Sequence, residues 1–227
     1  MRHFARTSVL ATVALVAATG CHKKKQADAP QLPTVSGSGV GSFESRSLPP
    51  FTRLTVGGGL EVTVNVGKNA PLELRGDDNL FRHVPSTVVD GELTLKPDAA
   101  FDTTQPFRLV LGSERLDALA TAVGAKVTLH GVKADQFSVR AGGASRVTAD
   151  GSATTLTVAA RSIAQLDFSA FSAGNASVTV ADLARVRLGY LEKLDATQTG
   201  RGVITYGGTP DVVRHVERAA NVAPASP

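Results

Sequence analysis

Apolar and polar residues alternate along much of the chain after residue 50, in runs such as Val62-Thr63-Val64, Phe137-Ser138-Val139 and Val186-Arg187-Leu188. A period of two puts alternate side chains on opposite faces of a strand. From Leu116 to Val222 the strand pattern itself repeats. Val127, Val147, Leu166, Val186, Ile204 and Val222 follow one another at intervals of 18–20 residues. Two positions before each stands a small residue: Ala125, Ser145, Ala164, Ala184, Gly202 and Ala220. Two positions after the first five stand Leu129, Ala149, Phe168, Leu188 and Tyr206, and eight before them Leu119, Val139, Val158, Val178 and Ala196. A fixed period near 20 residues is the signature of a solenoid.

Each repeat is expected to supply two short strands joined by small and polar residues. The rest of the coil then provides the crossover that parallel strands need. Equivalent residues of neighbouring coils would lie ~4.8 Å apart. The small residue before each anchor suits a tight corner where a large side chain would clash. Long helical spacings are absent, and Val, Thr, Ser and Gly dominate the run. The fold class is therefore all-β: a parallel β-helix-like solenoid with coils of about 18–20 residues. Residues 43–111 carry strands too, around Leu54, Val62, Leu72, Leu93 and Leu109, with turns expected at Arg75-Gly76-Asp77-Asp78 and Asp90-Gly91. Their spacing is looser, so these N-terminal coils should be irregular, with longer connections or paired hairpins. Val212 begins a last unit, and Arg214, Arg218, Pro224 and Pro227 make a poor template for further pairing.

Composition changes the picture in three places. Apolar residues make up 42% of the 227 but aromatics only 5%, with no Trp, so the core should be thin aliphatic layers. A single cysteine, Cys21, excludes an intrachain disulfide and a cysteine-rich zinc site. The net charge is +4, and removing residues 1–20 takes away Arg2 and Arg6 and no acid, leaving 22 bases against 20 acids. That balance is too mild to imply nucleic acid as a partner.

The N-terminus reads as an export signal. Arg2, His3 and Arg6 precede the apolar run Ser8 to Ala18, which is too short to span a bilayer. The segment Ala18-Thr19-Gly20-Cys21 resembles a bacterial lipobox, with Ala18 where Leu is commoner. The resemblance implies cleavage between Gly20 and Cys21 and lipidation of Cys21. Acyl chains would then anchor the protein to a membrane. The division of the chain is 1–20 signal peptide, 21–42 disordered tether, 43–222 solenoid domain and 223–227 tail. His22 stands where Asp after the lipidated cysteine commonly signals inner-membrane retention, which points to the outer membrane of the cell envelope.

A family resemblance rests on an ordered set of residues. Phe51-x-x-Leu54-x-Val56-x-Gly58-x-Leu60-Glu61-Val62 precedes Arg75-Gly76-Asp77-Asp78-Asn79-Leu80, then Asp90-Gly91-Glu92-Leu93-Thr94-Leu95, then the small-residue corners. Over roughly residues 43–222 this resembles the "putative auto-transporter adhesin head GIN domain" of bacterial envelope proteins. The resemblance implies a right-handed parallel β-helix and an adhesin-like binding role. Ser162-Ile163-Ala164 and Asp182-Leu183-Ala184 lack the Gly usual at such corners, so those two are expected to be wider.

The chain carries no nucleophile elbow, zinc-protease helix, phosphate loop or dinucleotide fingerprint, so no cofactor is called. Asp150, Asp167, Asp182 and Asp195 sit at different offsets from the anchors and share no file, unlike a metal or acid/base cluster. Arg75-Gly76-Asp77 matches an integrin-recognition tripeptide but is read as a turn. Candidate chemistry lies on one face. The residues just before the anchors, Lys126, Arg146, Gln165, Arg185, Val203 and Asn221, should point outward, with Arg187 flanking them and only Asp167 offsetting the charge. That stripe is a candidate contact for an anionic envelope or matrix polysaccharide, the alternative being that bases spaced along exposed strands simply keep the solenoid soluble. The reading is a non-enzymatic lipid-anchored binding module. The alternatives are a polysaccharide-modifying enzyme on the same fold and a scaffold or sensor partner of another envelope protein. Anchoring is directly testable: Cys21→Ser should release the protein from membranes in a carbonate wash, and continued membrane partitioning would sink the lipid-anchor reading.

Overall fold

A computed structural model describes residues 32–216 and 221–225. The expected signal peptide, the expected Gly20–Cys21 cleavage and lipidation site, and Arg218, Ala220 and Pro227 lie outside the described residues. The N-terminal strands are β1 (Thr34–Ser36), β2 (Gly41–Arg46), β3 (Arg53–Val56), β4 (Glu61–Val66) and β5 (Ala70–Asp77). After a 3₁₀ turn at Asp78–His83 come β6 (Ser86–Val89), β7 (Glu92–Leu95), β8 (Ala100–Asp102), β9 (Arg108–Ser113) and β10 (Ala118–Thr121). The repeat then supplies β11 (Lys126–Ala141), β12 (Arg146–Ala160), β13 (Gln165–Val180) and β14 (Arg185–Gln198). Last come β15 (Val203–Gly207), β16 (Asp211–Val216) and β17 (Asn221–Pro224).

The molecule is a parallel β-solenoid, and its register is the one the period predicts. Val127, Val147, Leu166, Val186, Ile204 and Val222 are direct cross-strand neighbours, each on the next. All six are buried. Leu119, Val139, Val158, Val178 and Ala196 form a second inward file in the same way. Two ladders run the length of the stack. The first joins β9, β4, the first halves of β11 to β14, β15 and β17. The second joins β7, β3, β10, the second halves of β11 to β14, and β16.

Two strands per repeat, joined by small polar residues, turn out to be one long strand bent at a register shift, for example between Leu129 and Val132. A bulge bends the chain without ending the pairing, so the backbone stays hydrogen-bonded round the bend. Phe137, Phe168 and Phe171 fill the interior around the bends, with ring centroids 5.9 Å (Phe137–Phe171) and 5.8 Å (Phe168–Phe171) apart.

The true break in each coil is a short corner, residues 57–60, 122–125, 142–145, 161–164, 181–184 and 199–202. These corners are all the same length, so those at 161–164 and 181–184 are not wider. Where Gly143 and Gly200 take the left-handed conformation in their coils, Ser162 (φ 62) and Asp182 (φ 60) take it themselves. Short polar residues visit that region at modest cost. The Ser162 N–H donates to the Asp182 carboxylate at 2.9 Å, tying the two corners together. The corner's last residue, Ala125, Ser145, Ala164 or Ala184, is fully buried, which is why it is small.

The N-terminal part departs from sequential stacking. β7 and β9 follow β3 and β4 in the chain yet pair on their far side, while β10 and β11 pair on the near side. The coil containing β3 and β4 is thus sandwiched between two later ones. The expected hairpin is β6–β7, whose Asp90 and Gly91 both have positive φ (48 and 74) and favour the tight turn. β2 and β5 add antiparallel strands at this end. Arg75-Gly76-Asp77 is no turn: it ends β5, and Asp78 opens the 3₁₀ segment.

The segment expected as a disordered tether, 21–42, includes residues that are ordered strand. Residues 34–36 pair with β8 and residues 41–42 with β5, so both belong to the domain. Polar contacts hold them: Ser38 N–H to Asn79 Oδ1 at 2.9 Å and Gly39 N–H to Asp77 Oδ1 at 3.0 Å. At the other end β17 runs to Pro224, two residues into the assigned tail. The register makes a sharp prediction. Leu166 is 3% exposed, and Leu166→Asp should lower unfolding stability by ~4 kcal/mol, an unpaired charge in the stack. A thermal midpoint close to the parent's would refute the inward assignment.

Candidate functional site

The outward file of the first ladder reads Arg108, Glu61, Lys126, Arg146, Gln165, Arg185, Val203, each residue directly beside the next, and Asn221 pairs with Val203. The next outward file on the same face reads Thr128, Thr148, Asp167, Arg187, Thr205. Arg146, Gln165, Asp167, Arg185, Arg187 and Val203 line a shallow open groove of 470 Å³ between these files. Three of the four cations read from the sequence are therefore brought together.

Lys126 is not among them. Its Nζ lies 2.8 Å from Glu61 Oε1, and Arg108 Nε lies 3.9 Å from the other oxygen of the same carboxylate. The stripe has a second offsetting acid, Glu61, besides Asp167. Asp167 is half-buried rather than freely exposed. Burial pushes its carboxyl up, but bonds from Ser169, whose N–H lies 3.0 Å away, and the charge of Arg187 outweigh this and hold it below the usual carboxylate range. Arg146 and Arg185 make no salt bridge among the described residues.

A second groove was not read from the sequence. It measures 510 Å³ and lies on the second ladder beside the corners. Its charged residues are Lys96, Arg140 and Arg161, around a floor that includes Ala120, Ala159 and Ala181. Arg140 and Arg161 stand 7 and 5 residues before their anchors, so no single repeat position marks them. A third groove of 580 Å³ mixes Arg115 and Lys133 with Asp135 and Glu192 and has no single sign.

The three histidines among the described residues each pair with one acid. His130 Nδ1 lies 2.7 Å from Asp150, His83 Nδ1 lies 2.8 Å from Asp98, and His215 Nε2 lies 3.3 Å from Asp195. Among the described residues no group of three or more His, Cys, Asp or Glu converges as a metal site would need. Asp77 of the Arg-Gly-Asp tripeptide is 1% exposed and accepts bonds from the Gly39 N–H and the Thr103 hydroxyl. It presents no carboxylate for docking.

A solenoid with flat charged faces and open grooves is a scaffold for surface recognition. Residues 50–210 match the family model "Putative auto-transporter adhesin, head GIN domain", and the chain belongs to that family. Similar solved structures include a putative adhesin from Bacteroides fragilis: TM-score 0.67, 15% identity, covering 83% of this chain and 98% of that one. A putative lipid binding protein from Parabacteroides distasonis has a TM-score of 0.56 at 15% identity, covering 85% and 100%. A putative adhesin from Parabacteroides merdae has 0.54 at 15%, covering 86% and 100%. At such identities the likeness shows the shared fold alone. No curated protein matches the chain. The family description is adhesive, not enzymatic, and points to a cell-surface or envelope protein.

One acid shows how the coils are tied electrostatically. Asp150 accepts the Gly131 N–H at 2.7 Å and a bond from His130, and these hold its carboxyl below the ordinary value of 3.8. A depressed native pKa adds stability that is full above the unfolded value and is lost as pH falls through the native one. Asp150→Asn should therefore lower the thermal midpoint at neutral pH and match the parent in strong acid. An equal deficit at both pH values would contradict this assignment.

Proposed function

We propose that the protein is a non-enzymatic, lipid-anchored envelope binding module whose first-ladder face contacts an anionic polysaccharide. The supporting observation is the groove along that face. Arg146 and Arg185 lie one rung either side of Gln165, exposed and without salt bridges among the described residues, and Arg187 stands beside them. Two rungs of a parallel ladder span ~9.6 Å. A regular file of this kind can follow the acidic groups of an extended polymer, where an enclosed pocket would take only a small molecule. The adhesin description of the family fits such a role. Anchoring rests on the lipobox-like Ala18-Thr19-Gly20-Cys21, and His22 favours the outer membrane.

Arg146→Gln with Arg185→Gln should weaken retention on an anionic glycan such as alginate and flatten its salt dependence, at an unchanged thermal midpoint. Lys126→Gln should change retention little, because Glu61 already offsets that charge. Retention of the double variant equal to the parent at both low and high salt would leave the file as a solvated surface only.

A further inference from the structure

A ridge of aliphatic side chains runs along the corners of four successive coils, beside the second groove. Ala144, Ile163 and Leu183 hold the third position of their four-residue corners and Val123 the second of its own, and Val123, Ile163 and Leu183 are 72%, 53% and 54% exposed. Three coil steps give the ridge a length of ~14 Å. The groove on its flank is lined by Lys96, Arg140 and Arg161 and by no carboxylate. None of these three cations makes a salt bridge among the described residues.

The fold does not require the ridge. Val123 has φ 40, a left-handed conformation that a β-branched residue rarely adopts. Gly58, Gly143 and Gly200 take the positive φ at the same corner position in other coils without that strain. Ile163 and Leu183 follow the left-handed Ser162 and Asp182 at positions where Ala144 and Arg201 serve other coils. Three large aliphatic groups therefore stand in water where glycine, alanine or a charged residue would fold as well. Exposed apolar side chains on successive corners, beside a groove whose charged residues are all basic and with the corner acid Asp182 tied to the Ser162 N–H, call for an occupant.

We propose that this corner is an interfacial membrane-binding edge, with the aliphatic ridge entering the headgroup–acyl boundary of an anionic phospholipid surface while Lys96, Arg140 and Arg161 meet its phosphates. The shape favours a bilayer. Val123, Ile163 and Leu183 stand largely free of the corners that carry them, and a soft interface yields to such side chains, whereas a protein partner would have to offer matching pockets. A second copy docked ridge to ridge would bring two sets of the same cations together. A polysaccharide would engage the cations and leave the ridge in water. Aliphatic insertion combined with basic residues at the headgroups is the general form of reversible interfacial binding. This edge is separate from the first-ladder file, so a tethered domain could lie against the membrane and still present that face.

The test uses the chain from residue 21 onward carrying Cys21→Ser, so that acyl chains play no part. It is sedimented with vesicles of phosphatidylcholine alone or mixed with phosphatidylglycerol, and its mass is followed by light scattering. The parent should bind the mixed vesicles, weaken with salt and stay off the neutral ones. Val123→Gly, Ile163→Ser and Leu183→Ser together should reduce that binding by at least ~10-fold, from the lost apolar insertion. Val123→Gly alone should hold or raise the thermal midpoint, so weaker binding is not unfolding. Lys96→Gln, Arg140→Gln and Arg161→Gln should remove the preference for anionic lipid, while Arg146→Gln with Arg185→Gln should leave vesicle binding intact. Equal vesicle binding by the ridge variant, or no binding by the parent, overturns the proposal. A dimer that dissociates in the ridge variant assigns the ridge to a second copy instead, and loss of glycan retention in that variant assigns it to the polysaccharide.

Discussion

The structure depends on the in-register hydrogen bonding of each coil to the next. No coil can bury its own apolar edge; Val147 is covered because Val127 and Leu166 lie on either side of it. Stability in such a stack is a sum over neighbours, so both ends need special treatment. At the N-terminal end the answer is a reversal of direction. β5 runs antiparallel to β9, β2 runs antiparallel to β5, and β6 folds back on β7, which puts hairpin strands where a parallel edge would otherwise stand open. At the other end Pro224 sits opposite Tyr206, and its missing N–H weakens that edge as a template.

The repeat was legible because its period fixes register. Once Val127 and Val147 are equivalent, every outward position between them is equivalent too, and Lys126, Arg146, Gln165 and Arg185 fall into one file without further assumption. The N-terminal third was not legible in this way. Its motifs mark strands correctly at Leu54, Val62 and Leu93, but nothing local says that the coil of β3 and β4 will lie between later ones. The same distance hid Glu61, which is 65 residues from Lys126 by number and one rung away in space. Polar contacts were hidden for a second reason. Residues 34–42 have the low apolar content of a linker, yet side chains of Asp77 and Asn79 hold their backbone, and hydropathy cannot see such bonds.

The corners show which departures from pattern carry meaning. Ser162 and Asp182 replace glycine with little consequence, since both tolerate the left-handed region and Asp182 gains a hydrogen bond there. Val123 has no such compensation. A strained, exposed, β-branched residue within a regular stack is a local conflict with the fold, and such conflicts concentrate where something other than stability is being served.

A ladder also constrains how charge can be placed on it. Like charges on adjacent rungs, ~4.8 Å apart, repel strongly enough to destabilise a sheet. Lys126 and Arg146 are such neighbours, and Glu61 on the rung before offsets the pair. Arg146 and Arg185 are separated by the neutral Gln165, which sets them ~9.6 Å apart, near the screening length at ordinary ionic strength. Arg187 stands beside Asp167 on the next file. The face therefore carries much of its positive charge at intervals the stack can tolerate, with Glu61 and Asp167 placed beside the more closely set cations. That spacing follows from the rung distance and from the residues between the cations, so the backbone register that makes the fold stable also determines how the surface meets charge in its surroundings.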